Sequence, residues 1–289
     1  MRFTSLSNNV SLFLGRFTLL FGVSIFLVGV VKTIINFPNF AISDLSMSVF
    51  GILIATLLSR KSFAKWMSSL ATPKGENVLL LNSLIICSGI AVIKLIFGGS
   101  SFYENFLSEN SVIEWLTSLF LILSGCFVFL AGLSKGSPFP KWLFFGLALI
   151  FFVAGMEELS WGQMIFDWDT PKEFASLNSQ GETTLHNMYG INNLIDPALL
   201  IFSLTSTCFS IIKIKSKSLR GVNYLRFSKG LLPMLMMATI FSASTMLFRG
   251  EIFLGRISQD IEWAEFLIAG SIFMQSIFVI ASSSGEGNN

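Results

Sequence analysis

The chain alternates between long stretches without charge and short segments that carry most of its charged residues. Eight charge-free stretches occupy residues 17–31, 45–59, 77–93, 115–134, 142–156, 197–212, 230–248 and 266–285. A helix of about 20 mostly apolar residues crosses about 30 Å of hydrocarbon, and a flanking Lys or Arg extends the shorter stretches to the interface. Backbone polar groups in lipid must be satisfied within one segment. The pattern therefore predicts an all-α polytopic membrane protein of about eight transmembrane helices.

The composition supports this class. Hydrophobic residues make up 53% of the 289 residues and charged residues only 12%, whereas a soluble domain carries about 25% charge. The formal charge of +2 says little by itself, and no nucleic-acid partner is expected. All 3 cysteines lie inside predicted spans, so neither a disulfide framework nor a cysteine metal site is expected. Membrane lipids are the expected partners.

The charges are distributed unequally between the two sides of the predicted bundle. With a cytoplasmic N-terminus, 14 of the 19 basic residues lie in cytoplasmic segments and 15 of the 17 acidic residues lie outside or near the outer boundary. An excess of Lys and Arg in short loops marks the cytoplasmic side. We therefore predict that both termini are cytoplasmic. The expected location is the plasma (inner) membrane or an equivalent internal membrane.

The short loops favour one bundle over the whole of 1–289. A possible internal repeat rests on Ile113-Glu114-Trp115 and Ile261-Glu262-Trp263, which open predicted spans four and eight, 148 residues apart. This match fits two parallel halves, 1–136 and 137–289, each with four spans. A chance match of three residues is the alternative.

The connection between spans five and six, 161–193, is the longest and carries the most turn chemistry. Thr170-Pro171-Lys172-Glu173 and Ser179-Gln180-Gly181-Glu182 both match the capping box that starts a helix, and Gly190 matches a helix stop. Asp196-Pro197 predicts the start of span six. We expect two short interfacial helices in this connection.

Span five carries two adjacent acids, Glu157 and Glu158, near its outer end. Glu157 lies about 22 Å along the helix from Trp142, so both carboxylates are expected below the outer interface. Carboxylates at that depth need a partner, and the negative end of the helix dipole does not favour them. Adjacent residues on a helix point about 100° apart, so the two converge only if the helix breaks before Gly162. The favoured interpretation is a functional site.

The remaining candidates follow in the next connection. His186 is the single histidine of the sequence. It lies four residues after Glu182, which places both side chains on one face of the predicted second surface helix. Glu and neutral imidazole are both ligands of zinc, iron or manganese. The hypothesis is a divalent metal held by Glu157, Glu158, Glu182 and His186, with Glu157, Glu158 and His186 as catalytic groups. Supporting residues are Gln163, Ser160, Glu114 and Glu262, with Gln180 and Asn187 as further hydrogen-bonding groups.

Several of these residues also have a purely structural interpretation. Glu182 matches the third helical position of a capping box, and His186 suits a surface position at the headgroup level. Glu114 and Glu262 each open a predicted span, where a helix N-terminus favours negative charge.

Two sequence blocks together resemble a known pattern. Glu-Glu-Leu-Ser-Trp-Gly-Gln at 157–163 and Gln-Gly-Glu-Thr-Thr-Leu-His-Asn at 180–187 resemble a pattern in uncharacterised bacterial polytopic membrane proteins. The resemblance covers these two blocks and implies a recurring membrane family. It implies no chemistry.

Two classes of function remain open from the sequence. The first is a metal-dependent hydrolase or transferase that acts on a lipid or lipid-linked substrate at the non-cytoplasmic interface, with the metal activating water or polarising the reacting group. The second is a non-enzymatic subunit of a larger membrane complex, or a proton- or cation-coupled transporter. Clustering of acids at one interface favours the first, because transporters place charge near the bilayer midplane.

Overall fold

The computed structural model describes residues 74–108, 111–133, 140–166, 168–212, 226–248 and 259–283, together with the isolated positions 26, 27 and 30. Residues 70–109 and 113–289 form one compact unit, which contains the helices discussed below. Residues 1–69 and 110–112 form another, of which only 26, 27, 30, 111 and 112 are described. Predicted spans one and two lie outside the described residues.

The described part of the chain is helical, and no strand occurs in it apart from one isolated bridge. The long helices are α1 (Gly75–Phe97), α3 (Val112–Leu133), α4 (Lys141–Glu158), α7 (Asn192–Ile211), α8 (Leu232–Leu247) and α9 (Asp260–Ser283). Short helices are α2 (Ser101–Phe106), α5 (Gln163–Phe166) and α6 (Lys172–Ala175), and 3-10 turns cover Ser160–Gly162 and Lys229–Leu231. Each of predicted spans three to eight therefore coincides with a long helix.

Five helices in the described ranges are long and apolar enough to cross a membrane: α1, α3, α7, α8 with the turn before it, and α9. α4 has 18 residues but carries Lys141, Glu157 and Glu158, and it is not among these five. α1 and α7 bury little of their apolar surface, with Leu81 of α1 61% exposed and Leu194 of α7 65% exposed. A soluble monomer rarely leaves such continuous apolar faces in water, so these helices support a polytopic membrane protein.

α9 lies at the centre of this unit and is the most buried of the five apolar helices. Phe120 of α3 stacks on Phe273 of α9 with ring centroids 5.0 Å apart, and Phe127 contacts the same ring at 5.8 Å. Phe120 also meets Phe266, so α3 and α9 run in the same direction. Offset and tilted aromatic pairs of this kind add about 0.5–1.5 kcal/mol to their burial.

α3 and α4 run antiparallel in close contact because glycines lie where their backbones meet. A Cβ on Gly155 of α4 would come within 2.7 Å of Ile122 and 3.0 Å of the Ser118 carbonyl oxygen. The Ser118 hydroxyl donates to the Gly155 carbonyl oxygen at 2.7 Å. Small residues at such contacts let apolar helices approach closely and bond to each other, so Gly155 fixes the position of the C-terminal end of α4.

Two polar networks join the helices at opposite ends of the bundle. At one end, the Glu76 carboxylate accepts from the Ser228 hydroxyl at 3.2 Å, and the Gln275 side chain accepts from the Ser228 amide at 2.9 Å. At the other, Lys94 of α1 forms an ion pair with Asp260 of α9 at 2.5 Å. These networks align the start of α1 with the start of α8, and the end of α1 with the start of α9.

The Asp260 network continues into the short helix α2. The Tyr103 hydroxyl donates to Asp260 at 2.9 Å, and the Trp263 indole donates to the Tyr103 oxygen at 3.0 Å. Burial, together with the charge of Asp260, raises the pKa of the Tyr103 phenol above its usual range. The sequence analysis missed this network, since its members are separated by about 160 residues along the chain.

Two predictions about the connection after α4 were wrong in detail. Span six begins at Asn192 and not at Asp196-Pro197, so Pro197 lies inside the first turns of α7. As the sixth residue of the helix, Pro197 lacks the amide that would otherwise bond to the Asn193 carbonyl oxygen, so this turn has one backbone hydrogen bond fewer. The first surface helix is a single turn, α6, whose N-cap is Pro171 and makes no side-chain cap bond.

The second predicted surface helix does not form. Residues 178–189 are a compact loop, closed by a bridge between Asn178 and Met188. The Asn178 side chain binds within the loop, accepting from the amides of Gln180 at 2.9 Å and Glu182 at 3.3 Å and donating to the Thr184 carbonyl oxygen at 2.8 Å. Asn side chains compete in this way with regular backbone bonds. The buried Asn178 therefore directs this segment into a loop.

Candidate functional site

The site begins where α4 breaks. The helix ends at Glu158, and the next turn contains three consecutive residues of positive φ: Ser160 (47°), Trp161 (56°) and Gly162 (94°). Glycine adopts this region freely, whereas each non-glycine residue in it costs about 1–2 kcal/mol. Residues held in this way persist only when their surroundings fix them, and they are concentrated at functional sites. The break before Gly162 is the one that the sequence analysis considered.

Glu157 is buried at this break and faces the loop 178–189. One of its oxygens accepts from the Trp161 indole at 2.5 Å. The other accepts from the backbone amides of Leu185 at 2.7 Å and His186 at 3.2 Å, and it lies 3.3 Å from Nδ1 of the His186 ring. Glu157 thus fastens the loop to the end of α4.

The contact between Glu157 and His186 also orients the imidazole. A neutral ring that donates through Nδ1 presents Nε2 as its proton acceptor. The His186 side chain is 30% exposed, so its ring is accessible while Glu157 is only 11% exposed. A buried carboxylate behind a partly exposed imidazole is the arrangement in which general bases are commonly held.

A second pair crosses the same interface. The Ser160 hydroxyl, buried in the turn, donates to the Glu182 carboxylate at 2.8 Å. Glu182 and His186 therefore both contact the end of α4, although they lie on a loop and not on one face of a helix. The sequence analysis placed these two residues together because they would share one face of a helix. That reason was wrong, because the segment is a loop.

Gln163 supports the loop from the other side of the break. Its side-chain oxygen accepts from the Thr183 amide at 2.9 Å and the Thr183 hydroxyl at 3.0 Å, and its nitrogen donates to the Thr170 hydroxyl at 2.9 Å. Thr170 is therefore engaged with Gln163 and does not cap α6. Gln180 and Asn187 pair with each other within the loop, and the Ser179 hydroxyl donates to the Asn187 carbonyl oxygen at 2.9 Å.

Glu158 has different neighbours from Glu157. The acids whose charge acts on it include Glu265, Glu114 and Glu262, from the starts of α9 and α3. Asp196 in turn acts on Glu265. The two adjacent glutamates therefore lie in separate environments. Glu157 binds the loop, and the charges of other acids act on Glu158. Of these acids, the sequence analysis had named Glu114 and Glu262 but not Glu265.

The predicted metal ligands do not form one coordination group. Among the residues that the structure describes, no three His, Cys, Asp or Glu side chains are placed so that they could hold a metal ion. Both oxygens of Glu157 accept from protein N–H groups, and Glu182 accepts from Ser160. The arrangement as it stands fits a hydrogen-bonded acid–base site, and the divalent metal stays a prediction.

The sequence analysis did not foresee two partners of Glu157. The Trp161 indole donates to Glu157. The Leu185 amide is a main-chain donor, which no sequence motif marks. The spacing of four residues between Glu157 and Trp161 was the available signal, although the bond forms across the left-handed turn and not along one face of a helix.

Comparison with protein-family models, with curated proteins and with solved structures found no match. The function must therefore be argued from the site itself.

Proposed function

We propose that this chain is a membrane-embedded hydrolase or transferase acting on a lipid or lipid-linked substrate, with its site at the non-cytoplasmic interface. The observation that carries the proposal is the 3.3 Å contact between Glu157 and Nδ1 of a partly exposed His186. His186 acts as the general base, taking a proton at Nε2 from water or from a substrate hydroxyl. A positioned base of this kind contributes about 10²- to 10⁴-fold to a rate.

The other residues of the site act on this pair. Glu157 is a positioning residue, because it fixes both the ring and the backbone of His186. The hydrogen bond between Ser160 and Glu182 joins the turn after α4 to the loop 178–189, which carries His186. Glu158 is left out of the acid–base pair, since the charges that act on it include those of acids from α3 and α9.

The lipid substrate follows from the position of the site. It lies at the end of α4, next to helices whose outward faces are apolar. A molecule that approaches the site between these helices comes from the hydrocarbon of the bilayer, where lipids are the abundant molecules. A transporter is less well supported, because the acids of the candidate site, Glu157 and Glu182, lie at or beyond the end of α4 and not near its middle.

Lipid turnover by the reconstituted protein tests the proposal. The full chain would be placed in vesicles made from a total polar lipid extract in H₂¹⁸O, and the lipids followed by mass spectrometry. Wild type should change at least one lipid species, with ¹⁸O in the product if the reaction is hydrolysis. His186→Gln should lose about 10²-fold or more of this rate. Tyr189→Phe, in the same loop and exposed, is the matched control.

His186→Gln with wild-type turnover would overturn the general-base role. Metal analysis of the purified protein, wild type against Glu157→Gln, tests the metal hypothesis separately. A bound metal that is lost with Glu157 would show that the loop rearranges to bind it.

A non-enzymatic subunit of a larger complex is the second candidate. One observation favours it: Glu157 receives its hydrogen bonds from the protein itself, as a carboxylate with a purely structural role would. Absence of lipid turnover by wild type, together with its migration in a larger membrane complex in mild detergent, would support this candidate over the enzyme.

A further inference from the structure

A cleft of about 260 Å³ lies in the half of the bundle opposite the candidate site. It is bounded by the last turns of α3, the first half of α4, the last part of α9, and Phe202 of α7 with Phe227. Its walls are almost entirely aliphatic and aromatic, and they include Ala131, Leu147 and Phe151. Phe202 and Phe227 meet edge to face at 6.2 Å and form one side.

The two polar side chains in the wall, Gln275 and Ser276, already have partners. Gln275 accepts from the Ser228 amide at 2.9 Å and donates to the Arg226 carbonyl oxygen at 3.0 Å. The Ser276 hydroxyl donates to the Ile272 carbonyl oxygen of its own helix at 2.7 Å. These bonds use most of the hydrogen-bonding capacity of the two side chains within the protein, and the rest of the wall is apolar. It suits a segment without polar atoms.

A hydrocarbon chain suits this wall, because it is narrow, flexible and without polar atoms. In a membrane protein such chains surround every outward face.

A positive charge adjoins the cleft. Arg226 immediately precedes the wall residue Phe227, and its backbone carbonyl binds the wall residue Gln275. The Arg226 guanidinium donates to the Ile212 carbonyl oxygen at 3.0 Å in an exposed contact. Guanidinium groups have further donors and bind phosphate well.

We propose that this cleft binds one acyl chain of an anionic phospholipid from the leaflet on the Arg226 side, with the lipid phosphate at Arg226. The chain fills the apolar wall between α4 and α9, and Arg226 distinguishes an anionic from a zwitterionic headgroup. This binding site is separate from Glu157 and His186, so it does not depend on the proposed enzyme activity.

Photolabelling in vesicles tests the inference. The full chain would be reconstituted with phosphatidylglycerol that carries a diazirine midway along one acyl chain, or with phosphatidylcholine of the same chains. Labelled peptides would be identified by mass spectrometry. Phosphatidylglycerol should label peptides that contain 143–151 and 272–279 at least about tenfold more than phosphatidylcholine does, a difference of about 1.4 kcal/mol.

Matched variants show whether the cleft is responsible. Leu147→Trp places a larger ring in the cleft and should lower this labelling at least about tenfold, again about 1.4 kcal/mol. Leu149→Trp makes the same change on the same helix at a position 63% exposed, and should label like wild type. Ser276→Leu fills the cleft from α9 and is the second variant if Leu147→Trp does not fold. Arg226→Gln should remove the preference for phosphatidylglycerol while labelling by phosphatidylcholine is kept.

Three results would overturn the inference. One is equal labelling of wild type and a folded cleft-filling variant. Another is label spread evenly over lipid-facing peptides of all helices. The third is equal labelling by the two lipids in wild type, which would remove the role of Arg226 and leave a non-selective apolar surface.

Discussion

Replacing Glu157 with glutamine should release the loop 178–189 from the end of α4. The carboxylate accepts from three N–H groups, those of the Trp161 indole and of the Leu185 and His186 amides. Glutamine has one acceptor oxygen. If that oxygen faces the two amides, the new NH₂ group faces the Trp161 indole, which leaves two donors opposed.

The size of the effect follows from these bonds. Hydrogen bonds to a charged group contribute about 1.5–3 kcal/mol to stability, and bonds between neutral groups contribute about 0.5–1.5 kcal/mol. The bonds from the Leu185 and His186 amides are kept but become neutral, so each loses about 1 kcal/mol. The unsatisfied indole donor costs about 1 kcal/mol or more. A neutral amide avoids part of the desolvation cost of a buried carboxylate, which lowers the net loss to about 2 kcal/mol.

Hydrogen exchange measures this loss directly. A change of about 2 kcal/mol in the free energy of local opening corresponds to about 30-fold faster exchange. The Leu185 and His186 amides should show it in Glu157→Gln, while amides in the middle of α8 and α9 keep the wild-type rate. Glu173→Gln, an exposed acid in the same connection, is the control and should leave the loop unchanged. Unchanged exchange at Leu185 in Glu157→Gln would refute the role of Glu157 as the anchor of the loop.

Three further predictions concern the scaffold. Gly155→Ala should force α3 and α4 apart and lower the free energy of unfolding by about 1–3 kcal/mol, seen as a lower melting temperature in detergent. Gly146→Ala is the control and should not be destabilising, because a Cβ there meets no atom within 4 Å. Equal melting temperatures for the two variants would contradict the close contact. The raised pKa of Tyr103 means that folding favours the neutral phenol. This stabilisation is fully present below the ordinary tyrosine pKa of about 10 and is lost as the pH rises above that value. Tyr103→Phe should therefore flatten the stability curve in that alkaline range, and an unchanged slope would count against the burial of this phenol. Tags near residues 1, 216 and 289 should report cytoplasm and a tag near residue 176 the outside; the same side for 176 and 216 would refute the orientation.

The sequence alone determined the helical class, because the spacing of charges is a property of the chain and lipid allows few alternatives. Each of the six charge-free stretches in the described ranges coincides with a helix. The sequence also predicted that Glu157, Glu182 and His186 belong together, and the structure places all three at the break after α4; their role in a functional site stays a prediction. The eight spans and the orientation stay predictions.

The tertiary structure decided how these residues meet. A capping-box match at Ser179 favours a helix locally, but a buried Asn178 that binds Gln180, Glu182 and Thr184 makes a loop more stable. The separate environments of Glu157 and Glu158 depend on a left-handed turn and on the starts of two distant helices. Contacts between segments far apart in sequence leave no periodic signal, because they are fixed by how helices pack and not by the residues within one helix.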